Sequence, residues 1–182
     1  MSVTNTIDPN ISMKALLEEY PGAQRALFRA HHIGGCSSCG FVPTETLGAV
    51  CERNGQLPMD EVIQTILAAH EAEAKIQISP SEVARRINAG EQLPLIDVRS
   101  REEWDTIHLE KSTFLTQELM HEILSSWPKD RECVFLCHHG VRSLDAASFF
   151  AGHGFQNVRV MSGGIDAWSV EIDPDVRRYH LE

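Results

Sequence analysis

In the stretch LCHHGVRSLDAAS, residues 136–148, a cysteine, two histidines, a glycine and an arginine fall within the six consecutive positions from Cys137 to Arg142, between an apolar run and a helical one. A cysteine is a nucleophile only as the thiolate. A short loop joining a strand to a helix start can supply backbone N–H donors, a positive helix end and here Arg142, all of which favour that charge. In such settings thiol pKa values fall from about 8.5 to about 3.5–7.5. Cys137 is therefore expected to be a thiolate nucleophile, ringed by His138, His139, Gly140, Val141 and Ser143. His138 and His139 either tune the thiolate and hand over protons or are solvated loop residues. A second pair, Cys36 and Cys39, forms CxxC in the glycine-rich segment HHIGGCSSCG. Thiols at this spacing close a disulfide, exchange with another thiol or make half of a metal site. A structural zinc site would need two more ligands from His31, His32 and Cys51, and Cys51 shares a helical face with Leu47 and Val50, which makes it a core residue. No metal site is assigned, and Cys133, inside an apolar strand, is expected to be inert packing.

The elements that must position these residues differ between the two ends of the chain. Helical periodicity runs through SMKALLEEY, AQRALFRA, a segment around Leu47, Val50 and Cys51, and MDEVIQTILAAH, with no strand among them. After EAEAKIQ, read as a charged and featureless stretch, the pattern changes. Ser79, Pro80 and Glu82 give a capping box with proline at the first helical position, and Gly90 ends that helix. The runs LPLIDVR and ECVFLC, followed later by NVRVM, read as buried parallel strands. REEWDTI, LTQELMHEILSSW and SLDAASFFAGHG read as the helices around them. Strand and helix in alternation imply a parallel central sheet with helices on both faces. The reading is a small all-α domain over residues 1–74 followed by an α/β domain over 75–182.

Composition narrows the partners. Of 182 residues, 42% are hydrophobic and 23% charged, the balance of a globular chain, and the formal charge is −10. Both halves are acidic, with 9 acids against 5 bases up to residue 75 and 17 against 11 beyond it. Nucleic acid and anionic membrane are excluded as partners on that ground. No run approaches the roughly 18 apolar residues of a membrane span, and the first residues do not read as a basic segment followed by an apolar run. Five cysteines, an odd number without a disulfide-framework spacing, point to reduced thiols and a cytoplasmic protein.

LIDVRSREEW, CHHGVRS and SGGIDAWSVEIDPDVRRY stand in the order of the rhodanese domain's strand and acid-arginine motif, active-site loop and closing segment. Residues 76–182 thus resemble a rhodanese-like sulfurtransferase. The resemblance implies that Cys137 carries sulfur as a persulfide, that Arg142 closes the loop, and that Asp97 and Arg99 buttress the site from a neighbouring strand. It also implies that Gly163 and Gly164 let the chain turn before Trp168. Cys137 to Arg142 is a CxxxxR loop, one residue shorter than the CxxxxxR of related phosphatases and arsenate reductases, and suits one terminal sulfur better than a tetrahedral oxyanion. Where rhodaneses usually read Gly-His-Ile-Pro-Gly-Ala, this chain has Ile107, His108, Leu109, Glu110, Lys111 and Ser112.

HHIGGCSSCG…ETLGAVCERNG resembles a small helical redox-disulfide domain associated with hybrid-cluster proteins. The two resemblances together imply a sulfurtransferase. Cys137 takes sulfane sulfur from thiosulfate or from a small or protein-bound persulfide and passes it to a thiol or protein acceptor, with Cys36 and Cys39 as a candidate relay and no cofactor. The alternative is a metal or iron–sulfur redox module in which the rhodanese-like half delivers sulfur or docks a partner.

Overall fold

The computed structural model describes residues 7–34 and 40–179. Cys36 and Cys39 lie outside the described residues. The chain divides into two compact units, Met1–Lys75 and Ile76–Glu182.

In the first unit, α1 (Met13–Glu19), α2 (Ala23–His31), α3 (Leu47–Arg53) and α4 (Met59–Ile76) supply the regular structure. Ser12 and Thr46 cap α1 and α3 through side-chain oxygens that accept from the N–H three residues on. The apolar faces meet in one cluster containing Met13, Leu16, Leu27, Leu47, Val50, Cys51, Val62 and Ile66. Burial pushes the Cys51 thiol pKa up. The EAEAKIQ stretch, read from sequence as featureless, continues α4 to Ile76 instead. Glu and Ala are strong helix formers, and Glu71 stands four residues before Lys75, the favourable orientation of an acid-base pair on a helix.

The second unit follows the sequence β1 (Gln77–Ile78), α5 (Pro80–Asn88), β2 (Leu95–Asp97), α6 (Arg101–Thr106), β3 (Ser112–Phe114), α7 (Gln117–Ser126), β4 (Cys133–Leu136), α8 (Val141–Gly152), β5 (Val158–Met161) and α9 (Gly164–Glu171). The five strands form a parallel sheet in the order β1-β5-β4-β2-β3. The α/β architecture with both faces covered is as the strand-helix alternation implies. β4 is central and buried along its length. Cys133 and Phe135 face a cluster with Ile123 of α7 and Leu144 and Phe150 of α8, while Val134 and Leu136 face Val83 of α5 and Ile165 of α9.

β1 and β3 have no counterpart among the three strands read from sequence. Both are short edge strands, and β3 (STF) lacks the apolar run that marks a buried strand. The capping box read at α5 forms only by half: Ser79 Oγ accepts from Glu82 N, but the Glu82 carboxylate goes to Arg85 instead of back to the Ser79 N–H. The reciprocal capping box lies one helix later: Ser100 Oγ accepts from Glu103 N, and a Glu103 carboxylate oxygen accepts from Ser100 N. Among the described residues no helix is long and apolar enough to cross a membrane.

Candidate active site

Cys137 directly follows β4, at the carboxyl end of the middle strand, where open parallel sheets bind ligands. Its backbone is fixed by the turn that follows the neighbouring strand β5. The carbonyls of Cys137 and His138 accept from the N–H groups of Ile165 (2.8 Å) and Asp166 (3.1 Å) in the first turn of α9. So close an approach requires glycine at 164: with φ +61°, a Cβ there would stand 2.2 Å from the Cys137 carbonyl oxygen and 2.4 Å from that of His138.

The loop then wraps the side chain. Gly140, at φ +94°, turns the chain into α8, so that its N–H points at Cys137 Sγ from 3.2 Å and that of Ser143 from 3.4 Å. Ser143 Oγ lies 3.4 Å from the sulfur and donates to the Gly140 carbonyl. A hydroxyl has one proton, so this serine accepts from a thiol and can turn its proton to a thiolate. Cys137 is buried, yet it lines a cleft of about 380 Å³ with His138, His139, Val141 and Arg142. A larger hollow of about 520 Å³, lined by Leu93, Pro94 and Lys111, lies at the amino ends of β2 and β3, away from the thiol.

Arg142 pairs with Glu103 of α6. Its guanidinium donates to both oxygens of Glu103, at 2.6 and 2.7 Å. These bonds hold the Glu103 carboxyl well below the usual carboxylate range against the opposing effect of burial, helped by Ser100 N–H and Tyr179. The same pair holds the arginine pKa up. Asp97 and Arg99 form a second pair with both side chains fully buried, Arg99 Nη2 lying 2.6 Å from Asp97 Oδ2. Arg99 also donates to the Ile107 carbonyl and, through Nη1, to Tyr179 Oη. Tyr179 Oη in turn donates to Glu103 Oε1 at 2.7 Å.

His138 is buried, stacked between His139 (3.9 Å) and Tyr179 (4.2 Å). Burial and then its His139 neighbour push its pKa down, favouring the neutral imidazole. His139 is exposed. The donor atoms of His138, His139 and Asp166 lie within 4.8 Å of one another. Their geometry suits a metal poorly: the two rings stack, so their in-plane lone pairs run side by side, and Arg178 occupies both Asp166 oxygens. Cys133 is fully buried, and its thiol is pushed up to about 11.

Residues 79–171 match the family model described as the rhodanese-like domain. The chain belongs to the rhodanese-like family. The Bacillus subtilis protein YtwF, named a sulfurtransferase, is 34% identical over 98 residues that cover 54% of this chain and 94% of that one. Mycobacterium tuberculosis MoeZ, whose name is adenylyltransferase/sulfurtransferase, is 36% identical over 104 residues, 56% of this chain. That alignment spans only 26% of MoeZ. Among solved structures, a Staphylococcus aureus rhodanese-like domain protein covers 50% of this chain and 89% of its own at 22% identity and a TM-score of 0.45.

Within the rhodanese-like domain, the atypical Ile107–Ser112 segment has a defined path. His108 stacks on Trp104 at 4.1 Å, Leu109 is buried, and Ser112 Oγ donates to the Leu109 carbonyl. The sequence-named residues Cys137, Gly140, Arg142 and Ser143 form one loop, while the Asp97–Arg99 pair is linked to it by side-chain hydrogen bonds through Tyr179 and Glu103. Neither of those two stands out in the sequence as a site residue. Glu103 carries a signal, the Ser-x-x-Glu spacing from Ser100; Tyr179 carries none beyond its place in the closing segment.

Proposed function

We propose that this protein is a sulfurtransferase in which Cys137 carries the moving sulfur. The observation that carries the reading is the ring of polar groups, the Gly140 and Ser143 N–H donors and the Ser143 hydroxyl, converging on a single sulfur at the base of an open cleft. Cys137 thiolate attacks the sulfane sulfur of the donor. One S–S bond forms, the donor's own breaks, and the electron pair leaves with the departing thiolate or, from thiosulfate, with sulfite. The terminal sulfur then occupies the cleft, where loop donors serve the negative charge. An acceptor thiolate attacks that sulfur and expels Cys137 as a thiolate.

Charge balance supports a persulfide over thiosulfate as the better donor. Among the described residues lining the cleft, Arg142 is the guanidinium, and Glu103 already meets its charge. Burial favours neutral His138. A dianion gains little in such a cleft, whereas a persulfide delivers sulfur with less charge to desolvate. The Cys36–Cys39 pair is the proposed acceptor within the chain. One thiol takes the sulfur as its own persulfide, and the other attacks the inner sulfur to close a disulfide and release hydrogen sulfide.

Intact mass after incubation with thiosulfate or glutathione persulfide, with Cys137→Ser in parallel, tests the reading. A gain of one sulfur atom that the variant lacks is expected, faster from the persulfide. No gain from either donor refutes the proposal, and metal analysis of anaerobically purified protein then tests the iron–sulfur alternative.

A further inference from the structure

The segment after α9 carries no regular structure, yet it is anchored at successive points. Ser169 Oγ donates to the Val176 carbonyl, and the Val176 side chain is buried in the cluster with Leu93, Leu109 and Ile165. Two residues on, Arg178 grips both oxygens of Asp166, in the turn of α9 that holds the His138 carbonyl. These anchors deliver the Tyr179 phenol to the active-site loop. Its ring lies parallel to His138, at 4.2 Å and 9°.

The hydroxyl occupies a position that few side chains could fill. It faces Arg99 Nη1, which can only donate, and Glu103 Oε1, which as a carboxylate can only accept. A hydroxyl does both at once. Burial and the Glu103 contact push the phenol up to about 12, so it remains a proton donor through the neutral range. Asp97, Arg99, Tyr179, Glu103 and Arg142 therefore form a continuous chain of hydrogen bonds. Arg142 adjoins Ser143, whose N–H is aimed at the Cys137 sulfur.

We propose that Tyr179 is a positioning residue for the persulfide loop, fixing Glu103 so that Glu103 fixes Arg142, while its ring braces His138 from behind. This rests on the sulfur-transfer reading above. It makes the closing segment part of the working site, where a purely structural tail would only hold α9 in place.

The test uses the full chain with Tyr179→Phe, Glu103→Gln and the two combined, following sulfur addition to Cys137 by mass over a range of glutathione persulfide concentrations. Phe keeps the ring and its stack and removes only the hydroxyl. The maximal loading rate of Tyr179→Phe is expected to fall about tenfold, the size of one hydrogen bond to a charged group. The half-saturating donor concentration should not change, nor should the His138 ring signals in the NMR spectrum. Because both residues act through Arg142, the double variant should load no more slowly than Glu103→Gln alone. Wild-type loading by a folded Tyr179→Phe, or losses that multiply in the double variant, would overturn the proposal. If Tyr179→Phe does not fold, wild-type loading by Glu103→Gln overturns it equally. A wild-type protein that loads from neither thiosulfate nor persulfide refutes the sulfur-transfer reading and this inference with it, a result distinct from equal rates in proteins that load.

Discussion

Replacing Gly164 with alanine should disable the loop without changing the identity of any site side chain. The new Cβ would stand 2.2 Å from the Cys137 carbonyl oxygen and 2.4 Å from that of His138. Restoring ordinary contact moves the loop and α9 apart by about 1 Å. The displacement breaks the hydrogen bonds from Ile165 N and Asp166 N to those carbonyls, at about 1 kcal/mol each. The left-handed conformation at φ +61° costs alanine about another 1 kcal/mol. The total of about 3 kcal/mol should lower the melting temperature of a domain this size by roughly 10–15 °C. A reacting group misplaced by about 1 Å should cost about a hundredfold in sulfur loading. Gly152→Ala is the control: it sits at the end of α8, a methyl group there would meet no atom within 4 Å, and it should leave both readouts unchanged or stabilise slightly. Calorimetry and intact-mass loading rates measure the two effects. A Gly164→Ala protein that melts and loads like wild type would refute the claim that backbone apposition to α9 shapes the loop.

Glu103→Gln keeps the α6 cap but removes the carboxylate facing Arg142. Because the Arg142 side chain is 42% exposed, urea unfolding should show a loss below that of a fully buried broken pair, about 2 kcal/mol. The folded carboxyl is held below its ordinary value, so that stabilisation is complete above the unfolded carboxylate pKa of about 4.3 and declines as pH falls below it. The stability gap between wild type and variant should be flat near neutrality and close in acid; a gap that widens there would contradict the pairing. Arg142→Lys keeps the charge but cannot span both Glu103 oxygens, and loading should slow by about tenfold, read by the same mass assay. In native protein, iodoacetamide followed by peptide mapping should label Cys137, which lines the cleft, well before Cys133, which is fully buried with its thiol pushed up to about 11. Equal labelling would contradict the placement of the two thiols.

The parts of the fold legible in the sequence are those whose signal is local and strong. β2, β4 and β5 carry apolar runs because helices cover both faces, and the sheet class follows from their alternation with helices. β1 and β3 are hidden because an edge strand of two or three residues is defined by its neighbour's free backbone groups, which its own side chains do not advertise. The EAEAKIQ stretch misleads for a related reason. Its lack of an apolar stripe hides the intrinsic propensity that carries α4 through it.

The site divides along the same line. Cys137, Gly140, Arg142 and Ser143 are near neighbours in the chain, and the chemistry of a strand–loop–helix junction is written in adjacent letters. What makes that junction rigid is distant in sequence: Glu103 meets Arg142 across 39 residues and Tyr179 across 76. One of these partners is within reach of the sequence. Ser100 and Glu103 have the Ser-x-x-Glu spacing of a capping box, and the box closes here, whereas at Ser79 the glutamate turns to Arg85 instead. A box glutamate normally sits at the surface and spends its carboxylate on the N-cap. Glu103 is 5% exposed, and its carboxylate also takes Arg142 and Tyr179, so the start of α6 and the active-site loop share one side chain. That sharing is why Gln and Ala at position 103 should differ: Gln can still accept from Ser100 N–H and keep the reciprocal box, whereas Ala keeps only the backbone bond to Ser100 Oγ and loses the other half of the box and the loop's anchor together.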